Sequence, residues 1–445
     1  MAFHNMNCTH RFILFGACIA VCTTAVTARA QDLSQQTTRV QSFTFSEALE
    51  QVGKTNLSLI AAEQKLISVQ KQENVALGGF LPKVTGTISG TEYDSKQVAT
   101  DSKYSVSSQL TVSQNLFTGF NDHNKLNQAQ ANTKASQENL KSIRAKTYAE
   151  LKQVYQKSIY SKDYIVLAEK IAKRRLDNYR LVELRFNSGR ENKGNVYLFK
   201  AYTEQANLDQ LQAENAKATA QLELAKVLGL DQDLLADVAD HSLPVTPLPQ
   251  TKPDFFSLVK KHPDYLAAVA QEEATAFEFK SARSGFFPSL DLSASYGYTD
   301  TKFYPQANER WSAGLTLTLP FFNGGRDLAS YQSTMASWKA QSASRAQSEK
   351  QLLLNLQTAY ASYQEAVQKV KVDESFKQAA SVRADIAKNK YNNGLLAFEN
   401  WDQVENDFIQ REKSLLSSQR DLVNAEANWL LAQGLDSNEG LKSSK

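Results

Sequence analysis

Hydrophobic and polar residues alternate with two different periods along this chain, and each period occurs in both halves. Apolar residues recur every three or four positions over long stretches, which is typical of helices, and every second position in shorter ones, which is typical of strands. The two longest helices are predicted at about 122–187 and 326–393, and neither contains Gly or Pro. Each would span roughly 100 Å at 1.5 Å per residue, whereas helices of compact domains average about 11 residues.

A shorter return helix is predicted after each long helix, so that each half forms an antiparallel helical hairpin. Gly189 and Gly394 lie at the two reversals, where glycine adopts a left-handed conformation at little cost. In the second half, large apolar residues recur every seventh position, as in the packing seam of a coiled coil. These positions are Trp401, Phe408, Leu415, Leu422 and Trp429.

Two strand-like stretches precede each hairpin, at about 83–114 and 289–320. Apolar and polar residues alternate there over about ten positions, which suits a membrane β-strand with one face toward lipid and the other toward a lumen. A soluble β-sandwich shows the same alternation, but the long helices and the signal peptide described below favour the membrane. The apolar positions are Val84, Ile88, Leu110, Val112, Leu290, Leu292, Ala294, Tyr296, Tyr298, Trp311, Ala313, Leu315, Leu317 and Leu319.

Aromatic residues gather near both ends of these strand-like stretches, as expected of girdles at the two membrane interfaces. The girdle on the loop side comprises Tyr93, Tyr104, Tyr298, Phe303 and Tyr304, and the girdle on the helix side comprises Phe80, Phe117, Phe120, Phe286, Phe287, Phe321 and Phe322.

Four short motifs recur in the same order, so the chain contains two copies of one unit. The first pair is 206 residues apart and the other three pairs are 205 apart. The pairs are GFLP at 79–82 with GFFP at 285–288, LFTG at 116–119 with FFNG at 321–324, RFNSG at 185–189 with KYNNG at 390–394, and GL at 229–230 with GL at 434–435.

The duplication predicts the division of the chain. A first repeat at 31–230 contains a helix, a strand pair at about 83–114 and a helical hairpin at about 122–228. A Pro-rich linker at 231–253 follows, because prolines that dense cannot continue a helix. A second repeat at 254–435 contains a helix, a strand pair at about 289–320 and a hairpin at about 326–433. A polar tail occupies 436–445.

The first thirty residues are predicted to be a secretory signal peptide. Arg11 precedes an apolar stretch, and an A-x-A cleavage site at 28–30 would leave Gln31 as the mature N-terminus. All three cysteines of the chain lie in this segment, so no disulfide is expected in the mature protein. Lipidation at Cys22 is disfavoured, because Val21 stands where a small residue is required.

The charge balance of the mature chain is nearly even. The chain has 50 basic and 47 acidic residues, and loss of Arg11 and Arg29 leaves 48 basic residues. Nucleic acid is therefore not expected as a partner, because neutralising phosphates requires a basic surface. No later segment contains about 18 consecutive apolar residues, so no transmembrane helix is expected either.

No catalytic or cofactor-binding motif is recognisable. The mature chain has three histidines without ligand spacing, which argues against a metal site. Gly324-Gly325 lies in a strand-to-helix turn and lacks the pattern of a phosphate loop. His262-Pro263 is predicted to begin a helix in the second copy, as Asn56-Leu57 does in the first. We therefore expect no enzyme activity and no cofactor, and passive conduction through any lumen that the predicted membrane strands enclose.

Four strands per chain require partner copies. Membrane barrels have at least 8 strands, and an open sheet edge in lipid leaves unpaired backbone groups that cost several kcal/mol each. The strands are therefore expected to combine with copies of the same chain. Two copies would supply 8 strands and three would supply 12.

The tandem units resemble the TolC-like outer membrane efflux proteins. The resemblance rests on three motifs and their order: GFLP or GFFP before the strands, LFTG or FFNG after them, and RFNSG or KYNNG at the hairpin turns. The resemblance implies an α+β membrane protein: a trimer with a 12-stranded transmembrane β-barrel and a 12-helix coiled-coil tunnel in the periplasm. It implies an exit duct for efflux or type I secretion. The implied partners are a periplasmic adaptor protein and an inner-membrane pump or ABC exporter. The resemblance also implies an equatorial belt at 231–253 and 436–445. The alternative is a structural protein, a coiled-coil stalk at the cell surface or in the periplasm.

The resemblance also assigns the hairpin turns to adaptor docking. The matched positions are Gly189 and Arg190 in the first turn and Gly394 and Leu395 in the second. Arg190 departs from the apolar residue that the family usually has there.

The resemblance further points to an entrance near the turns. Asn400 and Gln403 occupy positions at which TolC-like channels often have acids that ring the entrance. Asn195 occupies the position of the acid to which a tip tyrosine bonds in relatives. We therefore expect a closure of uncharged side chains around Tyr391, with little dependence on salt. The adjacent acids Glu399 and Asp402 either substitute at the entrance or form a solvated helix face.

Overall fold

The computed structural model describes residues 39–92, 104–231, 234–249, 251–300 and 308–435. The expectations for the signal peptide, for lipidation at Cys22, for the tail at 436–445 and for Tyr93, Phe303 and Tyr304 lie outside the described residues.

Each half of the described chain has the same order of elements: two shorter helices, two strands and two long helices. The first half contains β1 (Arg39–Phe43), α1 (Phe45–Thr55), α2 (Leu57–Leu77), β2 (Lys83–Glu92), β3 (Tyr104–Thr118), α3 (Asn121–Asn187), α4 (Lys193–Leu228) and β4 (Leu234–Val238). The second half contains α5 (Phe255–Lys261), α6 (Pro263–Ala282), β5 (Ser289–Asp300), β6 (Glu309–Thr318), α7 (Arg326–Asn392) and α8 (Phe398–Ala432).

Strands from both halves form one antiparallel sheet in the order β2-β3-β5-β6. The register places Val84 opposite Val112, Val112 opposite Ala294 and Ala294 opposite Ala313, so the apolar positions share one face. On the other face, hydroxyl pairs link neighbouring strands, such as Ser89 with Ser107 at 2.8 Å. The predicted two-faced alternation is therefore confirmed. No residue of these four strands is buried, so both faces are accessible.

The helices form four long parallel or antiparallel rods. The helices α3 and α7 are continuous, with 67 residues each. The other two rods are each made of two helices placed end to end: α4 with α2, and α8 with α6. Both members of the first pair pack against α3, and both members of the second pack against α3 and α7. No helix in the described ranges is long and apolar enough to cross a membrane.

A small belt surrounds the level where the paired helices meet. The strand β1 pairs in parallel with β4, with Arg39 opposite Leu234. The Tyr155 hydroxyl of α3 lies 2.8 Å from both the carbonyl oxygen of Phe43 and a carboxylate oxygen of Asp240, and its single proton can be donated to either. Buried apolar residues of α1, α3, α4 and the belt form one core beneath these bonds. The linker was expected in this belt, but its pairing with the segment before α1 was not predicted.

Candidate functional site at the hairpin tips

Both hairpin turns end their long helix in the same way. In the first, Arg190 N donates to Arg185 O and Gly189 N to Phe186 O, both at 2.9 Å. This pair of bonds defines the Schellman motif, in which a left-handed residue follows the helix. Gly189 has φ +72° and Gly394 in the second turn has φ +74°. The recurring RFNSG and KYNNG motifs are therefore helix terminators.

The predicted docking residues lie at the exposed apices of these turns. Arg190 is exposed, and the Leu395 side chain is 75% exposed. A Cβ added to Gly189 or Gly394 would meet no atom within 4 Å. Both turns are thus open to an approaching partner, and the left-handed backbone alone accounts for glycine at these positions.

A stack of aromatic rings lies directly behind the turns. Trp401 of α8 stacks on Tyr391 of α7 at 4.2 Å between ring centroids and on Phe199 of α4 at 5.2 Å. Trp401 is fully buried and Tyr391 is 1% exposed. Phe408 and Trp429 are also buried, so the seven-residue series in α8 contributes to packing as predicted. The stack joins the first hairpin to the second near their ends.

One carboxylate connects the two hairpins at this level, and it was not among the predicted residues. The Tyr391 hydroxyl donates to Glu191 Oε2 at 2.6 Å. Asn195 Nδ2 and the Asn192 N–H donate to Glu191 Oε1 at 2.8 and 3.1 Å. Tyr391 and Asn195 therefore meet through a charged group, whereas only uncharged partners were expected around Tyr391. Glu191 lies four residues before Asn195, a spacing that places side chains on one side of a helical turn.

Arg185 completes the network from the end of α3. Its Nη1 donates to the carbonyl oxygen of Tyr391 at 2.8 Å, and its guanidinium lies 4.4 Å from the Tyr391 ring centroid. Partial burial raises the pKa of Glu191, but the bonds from Tyr391, Asn195 and Asn192 and the charge of Arg185 lower it more, so the net shift is downward. Burial and the bond to Glu191 raise the pKa of Tyr391. Glu191 is thus held ionised and Tyr391 protonated.

The remaining entrance candidates fall into two groups. Glu399, Asn400 and Gln403 are exposed. Asp402 is half-buried and accepts hydrogen bonds from Tyr202 Oη at 3.4 Å and Asn406 Nδ2 at 3.0 Å. Burial raises the pKa of Asp402, although the nearby Arg175 charge opposes the shift. Glu399 and Asp402, which were predicted as a pair, therefore have different surroundings.

A set of ion pairs joins α3 to α8 above the tips. Arg174 Nε and Nη2 each lie 2.7 Å from Glu405, whose side chain is fully buried. Lys170 pairs with Glu412 at 2.6 Å, and the buried Lys152 pairs with Glu426 at 2.8 Å. Every base is on α3 and every acid on α8. The seven-residue interval between Glu405 and Glu412 was the available sequence signal, because charges beside a coiled-coil seam repeat with that period.

The histidine singled out in the sequence has a structural position far from the tips. His262 Nδ1 accepts the Asp264 N–H at 3.1 Å and so caps α6, while Asn56 caps α2 in the first half. Both helix starts were predicted. Over the described ranges, no group of three or more His, Cys, Asp or Glu residues is arranged to hold a metal ion.

Comparison with known proteins agrees with this architecture. The model of the outer membrane efflux protein family matches residues 48–230 and 257–434. The chain belongs to the outer membrane efflux protein family. The two matched segments correspond to the two duplicated halves, and membership places the protein in the outer membrane as an efflux channel. It also decides against the structural stalk.

Individual relatives have low sequence identity to this chain but align with most of its length. The chain is 25% identical over 325 residues to outer membrane efflux protein BepC of Brucella suis biovar 1 (strain 1330), covering 72% of this chain and 69% of that protein. It is 20% identical over 333 residues to alkaline protease secretion protein AprF of Pseudomonas aeruginosa, covering 73% and 67%. The crystal structure of outer membrane protein VceC from Vibrio cholerae superposes with a TM-score of 0.76 at 19% identity, covering 88% and 96%.

Proposed function

We propose that three copies of this chain form one duct, with a 12-stranded barrel in the outer membrane and a 12-helix tunnel in the periplasm. The sheet of one copy supports this, because β2 and β6 are its outer strands and each pairs with one described strand. Edges of this kind cannot remain open in lipid. Three copies of the four helical rods supply the twelve helices. Chemical cross-linking in mild detergent is expected to end at a trimer, and a ladder that stops at a dimer would contradict the proposal.

The duct serves as the exit of a tripartite efflux or type I secretion system. Among its relatives, BepC is named for efflux and AprF for the secretion of alkaline protease. We propose a periplasmic adaptor protein as the partner at Gly189, Arg190, Gly394 and Leu395, and an inner-membrane pump or ABC exporter as the source of energy. The exposed apices of the two turns support docking at these positions.

The protein conducts passively and catalyses no reaction. Purified protein in a planar bilayer is expected to give small, slowly gated pores without added nucleotide. Intrinsic ATP hydrolysis or turnover of a transported compound would contradict this function.

Closure of the tunnel depends on the network around Glu191. The single observation behind this proposal is the 2.6 Å bond from Tyr391 to Glu191, which joins the second hairpin to the first. Separation of the hairpins would break that bond together with the bond from Arg185 to the Tyr391 carbonyl. Both groups lie one helical turn or less from the docking turns, so a bound adaptor is well placed to replace these contacts. The variants in the Discussion test this closure by single-channel recording.

A further inference from the structure

Two junctions between stacked helices lie at the level of the belt, one in each half of the chain. In the first, α2 begins where α4 ends. Asn56 Oδ1 accepts the N–H groups of Ser58 and Leu59 at 3.0 and 3.2 Å, and Asn56 Nδ2 donates to the carbonyl oxygen of Val227 at 2.9 Å. One side chain thus caps α2 and ties it to the last turn of α4.

In the second junction His262 occupies the place of Asn56. Its Nδ1 accepts the Asp264 N–H at 3.1 Å, and the ring also hydrogen-bonds to the backbone of Leu431 in the last turn of α8. Gly434, with φ +70°, packs against His262 and Pro263. The imidazole is 4% exposed. The two halves therefore have the same kind of helix junction, but the capping side chain is an amide in the first and an imidazole in the second.

The two groups respond differently to acid. A neutral imidazole protonated on Nε2 can accept at Nδ1 and donate to the Leu431 carbonyl at the same time, whereas the imidazolium has a proton on both nitrogens. Protonation at Nδ1 would place an N–H against the Asp264 N–H and abolish the cap. The amide of Asn56 has no proton equilibrium in this range, so it accepts and donates at any physiological pH.

We propose that the α8–α6 junction is a proton-sensitive joint: protonation of His262 releases the N-cap of α6, while the N-cap of α2 at Asn56 stays intact. This goes beyond conduction, because it makes the helix junction of the second half respond to periplasmic acid and the corresponding junction of the first half not.

Charged groups around His262 modify this response. Asp264 on α6 favours the protonated ring and Lys146 on α3 disfavours it. A cavity of about 640 Å³ adjoins the ring, to which α8 contributes Asp421, while the lining residues of α7 are uncharged. The preceding helix α5 ends in Lys260, which pairs with Glu349 at 2.5 Å, and the exposed Lys261.

Burial is the largest of these effects and lowers the pKa of His262 from its ordinary value of 6.5. Between that value and the lower folded-state pKa, the unfolded chain binds more protons than the folded one. Stability therefore rises with pH in this window. The contribution of the junction is complete above about pH 6.5 and is lost as the pH falls through the folded-state pKa.

Hydrogen exchange of the purified full-length protein tests the joint, at about pH 7.5 and about pH 5, with intrinsic exchange rates corrected for pH. We expect the protection factor of the peptide at 263–268 to fall about fivefold in acid, the size of a lost N-cap. The peptide at 57–62 is the internal control, and its protection should not change. Equal behaviour of the two peptides would overturn the proposal.

The variant His262→Asn installs the group used in the first half. Its peptide at 263–268 should keep the same protection at both pH values. If the fall persists in this variant, another group, such as Asp264 or Asp421, causes it and the proposal is wrong. The comparison of the two junctions within the wild-type protein decides the question by itself if the variant does not fold.

Discussion

The Tyr391 hydroxyl of α7 donates a 2.6 Å hydrogen bond to Glu191, which lies between α3 and α4, 200 residues away in sequence. The bond connects the two hairpins of one chain beside the turns at Gly189 and Gly394, where we propose that an adaptor docks. Tyr391 also stacks on Trp401 and lies beneath Arg185. The phenol is therefore fixed in place, and removal of its hydroxyl changes the link between hairpins without removing the ring from the core.

Tyr391→Phe is expected to raise the open probability of the channel. The variant loses one hydrogen bond to a charged group, and at this partly exposed carboxylate we take the cost as about 1 kcal/mol, or fivefold in the ratio of open to closed states. Single-channel recording in a planar bilayer measures it. Tyr197→Phe is the matched control, since Tyr197 is exposed and no described hydrogen bond uses its hydroxyl. Equal open probabilities in wild type and Tyr391→Phe would refute the closure.

Glu191→Gln should also favour the open state, and it should reduce the effect of salt. In the wild type Glu191 attracts Arg185, and salt screens such charges with a Debye length of about 10 Å at 0.1 M. The wild-type channel should therefore open more often as ionic strength increases, and the variant should respond less. Asn195→Ala, which removes a donor but keeps the charge, should retain the salt dependence. A wild-type open probability independent of salt would support the uncharged closure instead.

The closure is expected to weaken in strong acid. The folded protein lowers the pKa of Glu191 below its ordinary 4.5, so the folded state binds fewer protons there than the unfolded state. The network is complete above about pH 4.5 and is lost as the pH falls through the lowered pKa. Open probability should rise only below that value in the wild type and stay constant in Glu191→Gln. If open probability instead increases between about pH 5 and 6.5, and His262→Asn abolishes that increase, the helix junction at His262 is its cause.

Glu399→Gln is expected to lower cation selectivity, whereas Asp402→Asn should leave it nearly unchanged. Glu399 is exposed near the proposed entrance, while Asp402 is half-buried against Tyr202 and Asn406. Reversal potentials in a salt gradient measure the selectivity of both variants. Unchanged selectivity in Glu399→Gln would show that Glu399 belongs to a solvated helix face.

Glu405→Ala should destabilise the protein more than Glu412→Ala does. Loss of Glu405 leaves Arg174, which is only 20% exposed, without its carboxylate, and breaking a buried pair costs about 3–5 kcal/mol. Lys170, the partner of Glu412, is 61% exposed and can be hydrated. Thermal unfolding in detergent compares the two variants. Similar midpoints would mean that the Arg174–Glu405 pair does not stabilise the α3–α8 contact.

The amino-acid sequence by itself determined the elements and their duplication. The long helices at about 122–187 and 326–393 match α3 and α7 within one residue. The alternating strand positions share one face, and Gly189, Gly394, Asn56 and His262 end or begin helices as predicted. These features are local: side-chain period, helix caps and left-handed turns depend on residues only a few positions apart, so one sequence contains all the information needed.

Only the tertiary structure decided which distant groups meet. It paired Tyr391 with the charged Glu191, and it gave Glu399 and Asp402 different surroundings. It also joined the bases of α3 to the acids of α8 and placed β1 beside β4. Periodicity identifies which face of a helix is apolar, but it does not specify the partner helix or the axial level at which they pack. Those depend on how all four rods fit together, and the charged partner of Tyr391 follows from that fit.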